Sequence, residues 1–428
     1  MLDIRYIRDN GELLQRTADK KGIDVSIREL LELDVRRRRL RQEADELRRE
    51  RNRLSEEIGR WLRSGEHNRG EEAKRTVNGM NERLDVCEKE LEEVEAPYER
   101  LMQLVPNPVS EQTPDGRSDE DNVEIKRVGE LPAFDFEPKD HVQLGEELGI
   151  LDIPRAVKLA GTRNYALKGV GFHLHRAVQQ LALDVLDKRG YVPMDVPMLA
   201  RGEAFKHTGF FPLGRDQTFA IEGEDRYLIG TSEVSLVSYY ANEIIDLTEP
   251  VRLAAASSCF RSEIGSAGRD VRGLYRVHQF AKVEQVVFCA NDPELSERML
   301  QEMTANAEEV LRLLELPYRV VSVCIGDMSQ KTHKQYDIET WMPSRQAYGE
   351  THSSSNLHDF QARRANIRYR DNNGKLQYCH TLNNTAVATP RILIPLLENH
   401  QREDGSVYVP KALRPYMGGL EEIRAPRS

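Results

Sequence analysis

One segment places side chains that bind phosphate and stack on bases at the spacing of a β-strand. Between Cys259 and Glu284, a loop rich in glycine and arginine joins two runs of β-type composition. Because side chains alternate along a strand, the second run puts five of them on one face: Arg276, His278, Phe280, Lys282 and Glu284. A polar strand face is more often solvated surface than a site. An aromatic ring and both charge signs beside arginines nevertheless suit a nucleotide, since arginine binds phosphate oxygens and phenylalanine stacks on a base.

The elements that must position these residues mix short β-type runs with helical ones. We predict strands at 251–260, 274–289, 317–325 and 336–342, and helices at 173–188, 293–316 and 390–401. No strand–helix unit repeats at a fixed period, and the sequence has neither a Gly-rich Rossmann fingerprint nor a Walker loop. The pattern therefore favours an α+β fold, an antiparallel β-sheet with flanking helices, over a doubly wound parallel sheet.

The amino-terminal part carries two runs of heptad-spaced, almost entirely apolar residues between about 26 and 104. The first run is Leu40, Ala44, Leu47, Arg51, Leu54 and Ile58, and the second is Val77, Met80, Leu84, Cys87, Leu91, Val94, Tyr98 and Leu101. Glycine, serine and asparagine at 62–70 break the helical pattern, so we predict an antiparallel two-helix coiled coil. The first helix is basic and the second more acidic. The simplest interpretation is a solvated pair whose charges neutralise each other.

Length and local composition predict more than one domain. A chain of 428 residues with 39% hydrophobic residues can bury more than one core. Val105-Pro-Asn-Pro108 ends the second helix, and the polar, turn-rich stretch 113–122 is typical of a linker. We predict an amino-terminal domain at 1–110, a linker and entry to the core at 111–170, and a main domain at 171–428.

Charge and cysteine usage exclude several classes of protein. Five scattered cysteines without a C-x-x-C pair indicate neither a disulfide framework nor a cysteine zinc site, and they favour a reducing compartment. No stretch approaches the roughly 18 consecutive apolar residues of a membrane helix. A net charge of -10 argues against indiscriminate nucleic-acid binding, although a local basic arm can still bind nucleic acid. We expect a cytoplasmic protein with no membrane partner.

Several motifs, in order along the chain, resemble those of one enzyme family. Phe260-Arg-Ser-Glu263, Gly265-Ser-Ala-Gly-Arg-Asp270 and His278-Gln-Phe-Ala-Lys-Val-Glu284 are similar to the second signature motif of class II aminoacyl-tRNA synthetases in its seryl-specific form. Residues 190–197 resemble the first motif and 383–391 the third. Residues 231–234 resemble the serine-binding loop, and 350–356 with 359–364 resemble the metal and ATP segment. Each motif alone is weak, but together they extend the resemblance over essentially the whole chain.

The resemblance implies a homodimeric serine–tRNA ligase that uses ATP as a substrate and Mg²⁺ as a cofactor. Such an enzyme activates L-serine to seryl-adenylate and transfers serine to the 3′ end of tRNA(Ser), with tRNA(Sec) as a further candidate acceptor. Residues 1–110 would then form a tRNA-binding domain and 171–428 the class II catalytic domain. The first motif would form the dimer interface, and the helical hairpin would reach the long variable arm of the tRNA.

The resemblance also implies a set of site residues. Arg261 and Arg391 are the expected catalytic residues. ATP is expected to contact Arg261, Ser262, Glu263, Val277, Phe280, Glu350, Thr351, His352, Ser353 and Arg391. Serine is expected to contact Thr231, Ser232, Glu233, Arg261, Glu284, Asn383 and Thr385. Glu350 and Ser353 are the expected Mg²⁺ ligands.

Individual roles follow from the same resemblance. Arg261 is expected at the α-phosphate and Glu263 at the adenine amino group. Phe280 and Arg391 are expected on opposite faces of the adenine. His278 and His352 are expected to be structural, and Cys259 to be a small buried residue.

Two other functions are compatible with parts of the sequence. A paralogue could adenylate a small amino acid for a carrier protein, but it would not need the heptad hairpin. A coiled-coil scaffold or tRNA-binding module could carry an inert synthetase-like domain. Such a domain has no physical reason to keep Arg261, Glu263, Glu350 and Arg391 together.

Overall fold

The chain forms two compact units in a computed structural model that describes residues 1–264, 270 and 272–426. The amino-terminal unit spans Leu2–Pro106, and the larger unit runs from Asn107 to the carboxyl end and includes Met1. Most of the glycine- and arginine-rich loop, residues 265–269 and 271, lies outside the described residues. The helices within the described ranges are too short or too polar to cross a bilayer.

The amino-terminal unit consists of four helices, α1 (Ile4–Asp9), α2 (Gly11–Lys20), α3 (Ile27–Arg63) and α4 (His67–Leu104). Helix α3 begins after Ser26, whose hydroxyl accepts a hydrogen bond from the Glu29 amide at 3.1 Å and so satisfies a first-turn N–H. The two long helices pack along one buried apolar seam, formed by Leu40, Ala44, Leu47, Leu84, Cys87 and Val94. The predicted helical pair is therefore confirmed.

The turn between the long helices is shorter than predicted. It comprises only Ser64–Glu66, and Gly70 lies inside α4. A Cβ at Gly70 would lie 3.1 Å from Leu62 Cδ2, so this glycine permits close packing of the two helices rather than ending one of them. A glycine in a heptad pattern can mark a close approach as well as a break, and the sequence does not distinguish the two.

The larger unit is built on an eight-stranded sheet with the order β1-β7-β8-β9-β12-β6-β5-β2. Neighbouring strands are antiparallel, except that β2 runs parallel to β5. Its strands are β1 (Val123–Val128), β2 (Val192–Met194), β5 (Val251–Phe260), β6 (Gln279–Cys289), β7 (Tyr318–Ser322), β8 (Lys334–Met342), β9 (Ala347–Asn356) and β12 (His380–Thr389). Three two-stranded sheets pair β3 (Leu199–Arg201) with β4 (Arg226–Leu228), β10 (Arg368–Arg370) with β11 (Leu376–Tyr378), and β13 (Val407–Tyr408) with β14 (Glu422–Ile423).

Helices and loops cover both faces of the main sheet. The helices of this unit are α5 (His141–Glu147), α6 (Ile153–Ala160), α7 (Val170–Asp187), α8 (Gly202–Thr208), α9 (Glu233–Ser238), α10 (Pro293–Leu313), α11 (Phe360–Ala365) and α12 (Leu393–Asn399). On one face, Leu181 of α7 and Met303 of α10 pack with Val287 of β6. On the other, Leu236 of α9 and Ala362 of α11 pack with Phe288, also of β6. The α+β prediction is therefore confirmed.

Several predicted boundaries differ from the observed ones. The strand predicted at 274–289 begins only at Gln279, because loop contacts fix the preceding residues: the Leu274 amide donates to His141 Nε2 and the His278 amide to the Arg163 carbonyl. The helix predicted at 390–401 is Leu393–Asn399. Strands β9 and β12 were not predicted. Both are rich in serine, threonine and asparagine, and their neighbouring strands complete their hydrogen bonds.

Residues 107–122 contact the sheet of the larger unit. The Asn107 side chain donates to the carbonyls of Lys331 and Leu357, at 2.9 and 2.8 Å. The Gly326 amide donates to the Gly116 carbonyl, and β1 follows as the edge strand beside β7. The assignment of a tRNA-binding role to 1–110 and a catalytic role to 171–428 stays a prediction.

Candidate active site

One cavity opens beside the central strands β9, β12 and β6. Most residues predicted to contact ATP line it, from four separate stretches of the sequence: Arg261, Glu263, Val277, Phe280, Glu350, Thr351, His352, Ser353 and Arg391. Thr385 of the predicted serine set lines it as well. The fold therefore brings these residues together. Their individual contacts with a ligand stay predictions.

Arg261 and Phe280 face each other across the β5–β6 hairpin. The guanidinium carbon of Arg261 lies 5.1 Å from the centroid of the Phe280 ring. The Arg261 amide donates to the His278 carbonyl, and His278 Nδ1 lies 2.9 Å from the Arg261 carbonyl. This reciprocal contact fixes the backbone from which Arg261 projects, in agreement with a structural position for His278.

Arg391 lies between Tyr275 and Glu350. Its guanidinium carbon is 4.3 Å from the Tyr275 ring centroid, and its Nε donates to the Tyr275 carbonyl at 3.0 Å. Its NH1 donates to the Glu350 carbonyl at 3.1 Å and lies 3.5 Å from the Glu350 carboxylate. Tyr275 falls within the strand predicted at 274–289 and outside the set of predicted site residues. It lines the cavity instead, because the strand has not yet begun at this position.

The residues that follow Arg261 have different positions. Glu263 lines the cavity and pairs with NH1 of Arg276 at 2.9 Å. Ser262 does not line it: its hydroxyl donates to the Asp216 carbonyl at 2.8 Å. The predicted ATP contact of the Ser262 side chain therefore finds no support in this conformation.

Acidic and hydroxyl groups cluster where the metal ligands were predicted. Ser353 Oγ accepts a hydrogen bond from Gln335 Nε2 at 3.1 Å, and Gln335 also donates to the buried Asp337 carboxylate. Burial raises the pKa of Asp337 well above its usual range, and the negative charge of Glu350 raises it further. Asp337 was not among the predicted site residues.

Thr351 and His352 line the cavity, and their side chains are within hydrogen-bond distance of each other. His352 Nδ1 lies 2.8 Å from the Thr351 hydroxyl, which is 2.6 Å from the Thr340 hydroxyl. Burial lowers the pKa of His352 to about 3, so the imidazole is neutral at physiological pH. This agrees with a structural His352. Cys259 is fully buried, as predicted.

The predicted serine-binding residues form a buried polar network beside the cavity. Glu233, which is 3% exposed, accepts hydrogen bonds at 2.7 Å from Lys331, Gln361 and Asn383. Its amide donates to the Thr231 hydroxyl at 3.3 Å. Lys331 and Gln361 were not predicted as site residues. Gln361 lies within a quoted motif, whereas no pattern in the loop before β8 distinguishes Lys331. Ser232 is buried in the same turn, and its hydroxyl has no hydrogen-bond partner in the described residues.

Glu284 is a second buried carboxylate near this network. The sheet register sets Thr385 opposite Glu284, and the Thr385 hydroxyl donates to its Oε2 at 3.4 Å. Lys282 Nζ lies 2.6 Å from the same oxygen. Burial raises the pKa of Glu284, the Lys282 ammonium lowers it, and the negative charge of Glu233 raises it again. Two buried carboxylates thus lie next to residues that line the cavity or are close to it, and each is paired with a lysine.

Comparisons with known proteins agree over the whole chain. The family model for the seryl-tRNA synthetase N-terminal domain matches residues 1–109, and that for the tRNA synthetase class II core domain (G, H, P, S and T) matches 218–400. The chain is 44% identical to the serine–tRNA ligase of Deinococcus radiodurans over 430 residues, which cover 100% of both chains. It is 46% identical to that of Caldanaerobacter subterraneus over 423 residues, which cover 97% of this chain and 98% of the relative.

A solved structure gives the same result. The seryl-tRNA synthetase of Pyrococcus horikoshii, crystallised with ATP, superposes with a TM-score of 0.92 at 38% identity and covers 100% of both chains. This likeness, like the sequence matches, extends over the helical hairpin and the sheet. The chain therefore belongs to the seryl-tRNA synthetase family of class II aminoacyl-tRNA ligases.

Proposed function

We propose that this protein activates L-serine with ATP to seryl-adenylate and pyrophosphate, and then transfers serine to the 3′ end of tRNA(Ser). The observation that carries the proposal is the convergence of Arg261, Phe280, Glu350 and Arg391 on one cavity next to the buried carboxylates. That combination offers cations for phosphates, a ring for a base, and anions for an ammonium group.

Activation requires positioning and charge stabilisation rather than a protein nucleophile. An oxygen of the serine carboxylate attacks the α-phosphorus of ATP, an O–P bond forms, and the bond to the leaving pyrophosphate breaks. Arg261 would bind the α-phosphate together with the serine carboxylate, and Arg391 would reach the γ-phosphate. Both guanidiniums are already oriented, by the Phe280 and Tyr275 rings, so little side-chain freedom would be lost on binding.

The adenine site would use residues at the start of β6. Phe280 would stack on one face of the base and Arg391 on the other, with Val277 alongside. Glu263 would accept a hydrogen bond from the adenine amino group. Its ion pair with Arg276 fixes the direction in which the carboxylate faces.

The residues around Glu350 fit a Mg²⁺ ion bound together with phosphate. Glu350 and Ser353 offer two hard oxygen ligands. Burial and, to a smaller extent, the negative charge of Glu350 raise the pKa of the nearby Asp337, and a cation would offset the repulsion between these two carboxylates. Mg²⁺ usually binds through one or two carboxylates plus phosphates and water. When bound, it would neutralise charge on the phosphates.

The serine pocket would combine Thr231, Glu233 and Glu284 around the ammonium and hydroxyl groups, with Thr385 above them. A pocket built to hydrogen-bond a hydroxyl rejects alanine, because the buried carboxylate is then left without a donor. Threonine would have to be excluded sterically, because the pocket must leave no room for its additional methyl group.

The hairpin of α3 and α4 would bind the tRNA. Many of its charges pair across the two helices, for example Arg37 with Glu95 at 2.6 Å and Arg48 with Glu88 at 2.7 Å. Others do not: within the hairpin, Arg39, Arg49 and Arg60 are exposed and make no ion pair. These free cations are available for phosphates of the acceptor, tRNA(Ser) or tRNA(Sec).

A homodimer would bury apolar surface near the first motif. Four large apolar side chains on and around α7, β2 and β3 are exposed: Phe172 at 51%, Val192 at 58%, Met198 at 41% and Leu199 at 36%. Grouped exposed apolar residues of this kind are typical of interaction surfaces. All five cysteines are free and buried, which fits a cytoplasmic protein.

The test is amino-acid-dependent exchange of pyrophosphate into ATP, with serine, threonine, alanine, glycine and cysteine, in the presence and absence of Mg²⁺. We expect exchange with serine, and a loss of about 100-fold or more in Arg261→Ala, the order expected when a group that stabilises transition-state charge is removed. Exchange with a different amino acid would indicate a re-specialised paralogue. No exchange by the folded protein would favour the binding module.

A further inference from the structure

The ammonium group of Lys331 binds both oxygens of Glu233 inside the larger unit. Its Nζ donates to Oε1 and to Oε2, each at 2.7 Å. The two side chains are only 12% and 4% exposed. The ring of Phe210, with its centroid 4.4 Å from Nζ, covers the same ammonium group. This is a buried ion pair with good geometry rather than a surface contact.

Glu233 has almost no remaining capacity to accept hydrogen bonds. Besides the two from Lys331, Oε1 accepts one from Gln361 Nε2 and one from Asn383 Nδ2, both at 2.7 Å. Three of these four hydrogen bonds converge on Oε1 and one reaches Oε2, so of the about four acceptor positions of a carboxylate only one, on Oε2, is left to a ligand. Gln361 is fixed in turn, because its Nε2 also donates to the Thr208 carbonyl and its Oε1 accepts from Thr381.

Glu284 differs from Glu233 in this respect. In the part of the chain that the structure describes, two side chains donate hydrogen bonds to Glu284: Thr385, at 3.4 Å to Oε2, and Lys282. Lys282 forms its ion pair with the same oxygen. The other oxygen, Oε1, accepts no hydrogen bond from the described residues. Of the two carboxylates, Glu284 therefore has the greater capacity for a substrate ammonium group, since its whole Oε1 is open in the described part of the chain.

The backbone around Lys331 is held as firmly as its side chain. The Lys331 carbonyl accepts a hydrogen bond from Asn107 Nδ2 at 2.9 Å, and the Asn107 amide donates to the Gln330 carbonyl. A Cβ added to Gly209 would lie 3.5 Å from the Lys331 Cβ, so the stem of the lysine is packed against this glycine. The ammonium group is therefore positioned before any substrate binds.

We propose that Lys331 determines which carboxylate of the pocket receives the amino group of the substrate. By pairing with both oxygens of Glu233 and neutralising its charge, Lys331 makes that residue a structural support and leaves Glu284 as the main acceptor. The inference rests on the proposed function and refines it, because it reassigns Glu233 from a direct contact to a support. Lys331 is thus a specificity-determining residue that acts through Glu233.

The test compares Lys331→Met, Glu233→Gln and the double variant in pyrophosphate exchange. Each single change leaves one buried charge without its partner, so we expect the KM for serine to rise about tenfold or more, with the KM for ATP within about twofold of the parent. The double variant replaces the ion pair by two neutral side chains. We expect it to recover a serine KM within about threefold of the parent.

Lys334→Met is the matched control. Lys334 is also buried and ion-paired, with Glu297 at 2.8 Å, but it does not contact Glu233 or line the cavity. We expect it to lower the thermal midpoint without changing the KM for serine. Lys331→Met should lower the thermal midpoint and raise the KM for serine, and the double variant should return both towards the parent values.

A direct contact between Glu233 and serine would give a different result. If Glu233 contacts the substrate directly, the double variant will bind serine no better than Glu233→Gln alone, and the inference is overturned. Failure of the proposed function looks different, because the parent protein would then lack exchange with serine. The same comparison would be made with whichever amino acid supports exchange. Thermal midpoints that show no recovery in the double variant would contradict the neutral-pair arrangement whatever the substrate.

Discussion

At the scale of single residues, the site depends on charges whose partners come from distant parts of the chain. Glu233 pairs with Lys331, and Arg391 lies beside Glu350. The first of these pairs is buried, whereas the Glu350 side chain is 50% exposed. Breaking the buried pair costs more than the pair itself contributes, because the remaining charge stays desolvated. Substitutions here should therefore affect binding and stability together, and only paired substitutions separate the two.

The raised pKa of Glu284 predicts how serine binding depends on pH. An ionised carboxylate is needed to bind the ammonium group of serine, and protonation removes that charge. Because burial and Glu233 raise the pKa of Glu284, the proton is taken up at a higher pH than the value of about 4.3 for an ordinary glutamate. We expect kcat/KM for serine to fall as the pH is lowered through this raised pKa, in steady-state pyrophosphate exchange.

Glu284→Gln is the control for this pH dependence. The variant should be less active at neutral pH, and its profile should lack the acidic limb that Glu284 causes. An acidic limb that persists unchanged in Glu284→Gln would show that another group titrates, and would contradict the assigned role of Glu284.

At the scale of elements, three arginines of α3 that pair with α4 and three that form no ion pair within the hairpin lie on different sides of the helix. Arg37, Arg41 and Arg48 are occupied by glutamates of α4. Arg39, Arg49 and Arg60 fall within an arc of about 80° on a helical wheel, at 100° per residue, so they share one exposed side of α3. Charge neutralisation within the hairpin, the simplest interpretation of the sequence, therefore accounts for only part of the basic residues.

Charge reversal of this exposed side should affect the tRNA step alone. We expect Arg39→Glu, Arg49→Glu and Arg60→Glu combined to raise the KM for tRNA about tenfold or more and to reduce its dependence on salt, because phosphate contacts release counterions. Pyrophosphate exchange, measured without tRNA, should not change.

A charge swap provides the matched control for the hairpin. Arg48→Glu combined with Glu88→Arg retains the ion pair and the net charge of the arm. It should leave both charging and exchange close to those of the parent. Equal loss of charging in the swap and in the triple variant would mean that the hairpin acts through its overall integrity and not through the three free arginines.

At the scale of the whole molecule, the exposed apolar surface near the first motif predicts self-association. Phe172 lies on α7 and Val192 on the neighbouring edge strand β2. We expect Phe172→Glu with Val192→Arg to convert a dimer into a monomer in sedimentation equilibrium, because both changes put charge into a buried apolar contact. Leu159→Glu is the control, since Leu159 is 88% exposed on α6, apart from this surface. A parent protein that sediments as a monomer at micromolar concentration would contradict the dimer.

Local sequence patterns predicted many of the helices and strands of this protein and its fold class. The heptads of α3 and α4, the strand at 251–260, the long helices α7 and α10, and the α+β class all follow from spacing and composition. The motif residues were recognisable because several of them lie close together in sequence, such as Arg261 with Glu263, or Glu350 with Ser353. Side-chain periodicity is a local property, so a single sequence is enough to reveal it.

Only the tertiary structure decided which charges meet and where polar strands pair. Glu233 and Lys331 are far apart in sequence, yet the fold sets their charged groups 2.7 Å apart. Strands β9 and β12 have few apolar residues, and they exist because the strands beside them supply hydrogen-bond partners. Gly70 lies inside a helix, where a Cβ would lie 3.1 Å from Leu62 of the facing helix, so glycine allows the two helices to pack closely at this point. Each of these outcomes depends on a partner that is distant along the chain or on the opposite helix, and no local pattern specifies such a partner.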